Sequence, residues 1–162
     1  MRKFAVVLAL FASLPFPAYA DFQAGVAAVK RMDYATAHAE FRPLAEKGLA
    51  AAQTNLGLLY SKGWGVPVDD AHALKWYRLA AKQNQPIAQN NLGAMFIKGI
   101  GGPKDEVFGT MWLILAAGNK YAAATKALEA QEKRLTVRQI EIARQLAELW
   151  KEKQSIRIKA FN

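Results

Sequence analysis

Residues 49–84 read LAAAQTNLGLLYSKGWGVPVDDAHALKWYRLAAKQN, and residues 85–120 read QPIAQNNLGAMFIKGIGGPKDEVFGTMWLILAAGNK. Aligned without a gap, the two stretches are identical at 14 of 36 positions. The matches include Ala52/Ala88, Gln53/Gln89, Asn55/Asn91, Leu56/Leu92, Gly57/Gly93, Gly63/Gly99, Gly65/Gly101, Asp69/Asp105 and Trp76/Trp112. Self-similarity at a fixed period of this length marks a stacked repeat, in which each unit buries its apolar face against its neighbours.

Each unit reads as two helices. Ala52, Leu56, Leu59 and Tyr60 recur at helical spacing, and Gly57 lets a neighbouring element approach closely. Gly63 and Gly65 end that helix, because glycine adopts a positive φ at little cost. Val66-Pro67-Val68 is an extended link. Asp69 is placed to cap a second helix by accepting from its free N–H groups. Ala73, Trp76, Tyr77, Ala80 and Ala81 form the buried side of that helix, and Asn84 ends it. The second unit repeats the scheme across Gly99–Pro103.

The pattern Leu56-Gly57, Tyr60, Gly63, Gly65, Asp69, Ala73, Trp76-Tyr77, Ala80-Ala81 resembles the Sel-1-like repeat, a relative of the tetratricopeptide repeat. The second unit departs from it at Phe96, Gly102, Gly109 and Leu113, and none of these removes a helix. The resemblance implies an all-α fold, an α/α solenoid of stacked helix-turn-helix units. It further implies that the first helices line a concave surface that binds protein or peptide.

The phase extends in both directions. Gly25, Asp33-Tyr34, Ala37, Phe41 and Leu44-Ala45 match the shorter tetratricopeptide pattern, so residues 21–48 are expected to form a further helix pair. Residues 121–153 lose the glycines and are expected to supply a capping helix pair. Thr136 and Gln139 form a capping box there, Leu135 and Ile140 a hydrophobic staple, and Ile140, Ala143, Ala147 and Trp150 one apolar face. Residues 154–162 are expected to fray as a basic and apolar tail.

Residues 1–20 have the order of a secretory signal: Arg2 and Lys3, an apolar run from Phe4 to Ala12, helix-breaking Pro15 and Pro17, then Ala18-Tyr19-Ala20. The run is too short to span a bilayer. Cleavage after Ala20 and a periplasmic or secreted protein are therefore expected. The chain has no cysteine, which excludes disulfides and thiol chemistry. Its charge is +9, from 22 basic and 13 acidic residues, and removal of Arg2 and Lys3 would lower the excess to +7. Such a balance favours acidic partners, including an anionic envelope surface. Export argues against nucleic acid.

No catalytic constellation is present. His38 and His72 lie on different second helices and are expected to face solvent separately. Asp69-Asp70 and Asp105-Glu106 open helices, where anionic groups are favoured, rather than forming an acid–base or metal pair. No cofactor or metal is expected, and a monomer is. Asn55 and Asn91, with Thr54, Asn90, Lys62, Lys98 and Ser61 beside them, are the candidate groove residues. An amide can both donate to and accept from a peptide backbone. The same asparagines could instead hold adjacent repeats together. A second candidate contact is the stripe Phe108, Met111, Ile114, apolar where the first unit has His72, Lys75 and Arg78. Either the last helix folds over it or a partner does. The leading expectation is a non-catalytic interaction module, an adaptor or regulator. The alternatives are a binder of anionic glycan or lipid and, more remotely, a cell-wall-active hydrolase.

Overall fold

The fold is that of a computed structural model, described over residues 16–160. Eight helices follow one another among the described residues: α1 (Phe16–Lys30), α2 (Tyr34–Glu46), α3 (Ala50–Lys62), α4 (Asp70–Ala81), α5 (Pro86–Lys98), α6 (Glu106–Gly118), α7 (Ala122–Glu132) and α8 (Val137–Ala160). Each of α1 to α6 packs on the next, and α3 also touches α5, so these two first helices lie side by side. Most of the expected signal, residues 1–15, lies outside the described residues. Pro17, expected to break a helix, is the second residue of α1. Proline is tolerated there because the first N–H groups of a helix have no intrahelical partner.

Helix boundaries repeat with the sequence. Asp33, Asp69 and Asp105 each accept from the backbone N–H three residues on, at 3.2, 2.9 and 2.8 Å. Gly63 and Gly99 end α3 and α5 in the left-handed conformation. Gly65 and Gly101 then bring the loop against the previous repeat. A Cβ on Gly65 would stand 2.5 Å from the Tyr34 carbonyl oxygen, and one on Gly101 2.5 Å from that of Asp70. No side chain fits at either place.

Two apolar clusters form the core. One gathers Phe22, Phe41, Leu44, Leu56 and Leu59, the other Tyr77, Leu92, Met95, Met111, Trp112 and Leu115. Trp76 is buried in the first and Trp112 in the second. The Thr136–Gln139 capping box forms, with Gln139 N donating to Thr136 Oγ1 at 3.3 Å and Thr136 N donating to Gln139 Oε1 at 2.9 Å. From there α8 turns back over α6 rather than stacking on α7. Ala143 and Ala147 are buried under it, and Trp150 meets Trp112 edge-on at 4.9 Å. The helix runs on through residues 154–160, the stretch expected to form a tail. Gln154 anchors it, Nε2 donating to the Lys82 carbonyl at 3.2 Å.

Candidate functional site

The stripe Phe108, Met111, Ile114 is not open. Met111 is 2% exposed, and Phe108 and Ile114 pack with Leu146, Ala147 and Trp150 of α8. It is the seat of the capping helix, so as a partner surface it is withdrawn. The loss of polar residues at these positions reflects that cover.

Thr54 also leaves the candidate groove. It is buried, and its hydroxyl donates to the Ala50 carbonyl at 2.9 Å, one turn back on its own helix. Asn55 is half-buried and its Nδ2 donates to the Ala51 carbonyl at 2.9 Å. Its oxygen has no protein partner among the described residues. Asn90 Nδ2 donates to Asn91 Oδ1 at 3.3 Å. Asn91 also lies against the Tyr77 hydroxyl of α4, whose acidity is lowered chiefly by burial. Ser61 Oγ donates to the Leu58 carbonyl and is 3.4 Å from the same hydroxyl. Lys62 and Lys98 are exposed at the ends of α3 and α5.

Two glutamines, Gln53 and Gln89, add buried polar links between the repeats to the apolar packing. Gln53, 3% exposed, donates through Nε2 to the Ala45 carbonyl at 3.1 Å and accepts from Gln83 Nε2 at 2.9 Å. Gln89, fully buried, donates to the Ala81 carbonyl at 3.3 Å and accepts from Asn119 Nδ2 at 3.1 Å. The two networks match at a 36-residue offset. A buried primary amide left unpaired is costly, so each glutamine fixes the seating of its unit on the one before. Asn91 shares that work through Tyr77. Asn55 does not, because Phe41, which occupies the place of Tyr77 one repeat earlier, has no hydroxyl.

The incompletely buried positions of the first helices form a regular face. A Cβ on Gly25 would strike the Phe41 ring and one on Gly57 the Tyr77 ring. These matched seats set the register of α1, although its unit is four residues shorter. Two residues before the glycine stand Gln23, Asn55 and Asn91; one after it, Val26, Leu58 and Ala94; five after it, Lys30, Lys62 and Lys98. The amide row is exposed on α1 and half-buried on α3 and α5, the middle row is half-buried, and the lysines are exposed. Neither α3 nor α5 contains an aspartate or glutamate.

The two histidines meet around one tyrosine instead of standing apart in solvent. His38 Nε2 is 3.1 Å from Tyr60 Oη, and the His72 ring stacks on Tyr60 at 5.0 Å. His72 Nδ1 is 2.7 Å from Asp69 Oδ2. Partial burial, helped by the Arg42 charge, holds the His38 imidazole below its ordinary pKa. The cluster joins α2, α3 and α4, and contains no nucleophile beside a base. Spacing along the chain could not reveal this meeting, because it depends on how α2 docks on α3. Among the described residues no group of three or more His, Asp or Glu could hold a metal. No helix among them is long and apolar enough to cross a membrane.

Stacked helix pairs of fixed length, joined by glycine loops and closed by a folded-back helix, define an α/α-solenoid repeat protein. Residues 50–85 and 86–121 each match the Sel1 repeat. The chain carries two Sel1 repeats and shares the fold of Sel-1-like repeat proteins. A protective antigen present in uropathogenic Escherichia coli strains, displaying an SLR fold, is 33% identical with a TM-score of 0.79 over 84% of this chain and 30% of its own. A Sel1 repeat protein from Oxalobacter formigenes is 34% identical with a TM-score of 0.61 over 64% of this chain and 41% of its own. The chain thus spans less than half the length of either. No curated protein matches it. Sel1 repeat proteins are generally protein-interaction modules and typically non-catalytic scaffolds.

Proposed function

We propose that this protein is an exported adaptor or regulator that binds an extended segment of a partner protein across its first-helix face. The supporting observation is the recurrence, in register on α1, α3 and α5, of an amide, an apolar position and a lysine that the fold does not fully bury. The amides offer hydrogen bonds to a peptide backbone, and the apolar row between amides and lysines gives side chains a dry contact. Of the polar residues that hold repeats together, Gln53 and Gln89 are buried away from this face, and Asn91 alone lies on it. Export rests on the charged, apolar and small-residue order of residues 1–20.

The test uses the full chain expressed with its own N-terminus and a photo-cross-linker at Leu58 or Ala94, with Lys75 on α4 as the comparison site. The expected result is partner adducts from the first two sites and not the third, weakened at least fivefold by Asn55→Ala/Asn91→Ala. The isolated product should begin at Asp21. Adducts from Lys75 alone would overturn the groove, and an N-terminus at Met1 would overturn export.

A further inference from the structure

Lys30, Lys62 and Lys98 are the final residues of α1, α3 and α5. A lysine at a helix C-terminus is favoured by the helix dipole alone. That reason applies equally to the second helices, where Lys47 and Lys82 are the C-caps of α2 and α4, so the recurrence on the first helices is weighed by its surroundings. The three lysines are exposed, and no ion pair among the described residues engages them. No carboxylate of α3 or α5 offsets them, and α1 contributes only Asp21. Arg134 stands 36 residues beyond Lys98 and continues the series past α7, where its charge also reaches Glu106. The cations therefore form a ladder running across the helices, one rung per repeat, beside the row of Gln23, Asn55 and Asn91.

We infer that the ligand of this face is an extended acidic peptide with a carboxylate at every third residue. The inference rests on the peptide reading above and names its chemistry. Of the first helices α3 and α5 are in contact, and helices in contact lie about 8–10 Å apart, which sets the rung. An extended chain rises about 3.3 Å per residue, so three residues cover about 10 Å, one rung. A carboxylate at that interval meets each lysine in turn while the intervening backbone lies along the amides. The amide row favours a peptide over a polyanion that offers charge alone.

The experiment measures binding to the full chain of three labelled peptides of equal length by fluorescence anisotropy. One has glutamate at every third position, one has the same glutamates in a single block, and one has glutamine at every third position. Anionic phosphatidylglycerol vesicles and heparin are further arms. The spaced glutamate peptide should bind tightest, weaken with salt, and lose about tenfold on Lys30→Gln/Lys62→Gln/Lys98→Gln. Lys47→Gln/Lys82→Gln, at the ends of second helices, should change it less than twofold. Equal binding of spaced and blocked peptides, or equal loss in both variants, would overturn the ladder. So would ladder-dependent capture of vesicles or heparin without the peptide. Binding of the glutamine peptide at equal strength would sink the acidic ligand while leaving the peptide groove intact. Failure of cross-linking at Leu58 and Ala94 would sink the groove itself. The substituted lysines are exposed, so a thermal unfolding midpoint within a few degrees of the parent shows that each variant folds.

Discussion

Glycines that look alike in the sequence carry different burdens. Gly48, at φ 95°, has nothing within 4 Å of the place a Cβ would take, whereas Gly101, at φ 71°, faces the backbone of Asp70. Gly48→Ala meets only the left-handed backbone cost, about 1 kcal/mol. Gly101→Ala adds a collision with a carbonyl that cannot yield without parting two repeats, and should cost about 3 kcal/mol. Urea unfolding of the two variants checks the order, and equal losses would mean that the loop does not set repeat spacing. At this scale the caps and helix-ending glycines were legible, because each is a local rule about one residue's backbone. The roles of Thr54, Gln53 and Gln89 were not. Neighbouring positions on one helix turn differ by about 100° in direction, and only the docked partner shows which is inside. The meeting of His38 and His72 at Tyr60 was hidden for the same reason.

Among elements, α8 decides the most. Its buried side was readable as Ala143, Ala147 and Trp150, and the apolar change at Met111 required some cover. Its path was not readable, because amphipathic spacing says that a helix packs, not against which neighbour. Nor did the basic and apolar residues after Lys153 show that the helix would continue to Ala160, held by Gln154 on Lys82. Trp150 is half-buried against Trp112, so Trp150→Ala should cost about 2–3 kcal/mol and expose the α6 stripe. Denaturant unfolding checks the loss. Increased binding of a hydrophobic dye at native conditions checks the exposure. An unchanged midpoint would mean that α8 is a loose appendage.

For the whole molecule, stability is shared between neighbours and depends on how many each element has. Helix α7 packs chiefly on α6, while α8 lies along α6 and reaches the end of α4. The amides of α7 should therefore exchange with solvent before those of α8, although α8 is last in the chain. Hydrogen exchange resolved by helix tests this, and the reverse order would show that α8 detaches first. The solenoid class was legible from the 36-residue period alone. The polarity of its first-helix face was only half legible: Asn55, Asn91, Lys62 and Lys98 stood out by recurrence. Gln23 and Lys30 did not, since their unit is four residues shorter and only the Gly25–Phe41 seat brings them into line.

Glycine loops land on the backbone of Tyr34 and Asp70, 36 residues apart; at the next such position, Glu106, the side-chain carboxylate is held by Lys104 and Gln131. With α8 laid along α6, a repeat added to this stack has its natural place ahead of the terminal pair. Duplication there would insert a whole 36-residue cassette, carrying its own amide, lysine and glycine loop. Every event of that kind would add one rung to the ladder and three residues to the segment it can read, so ligand length in this architecture is inherited in units of the gene's own repeat.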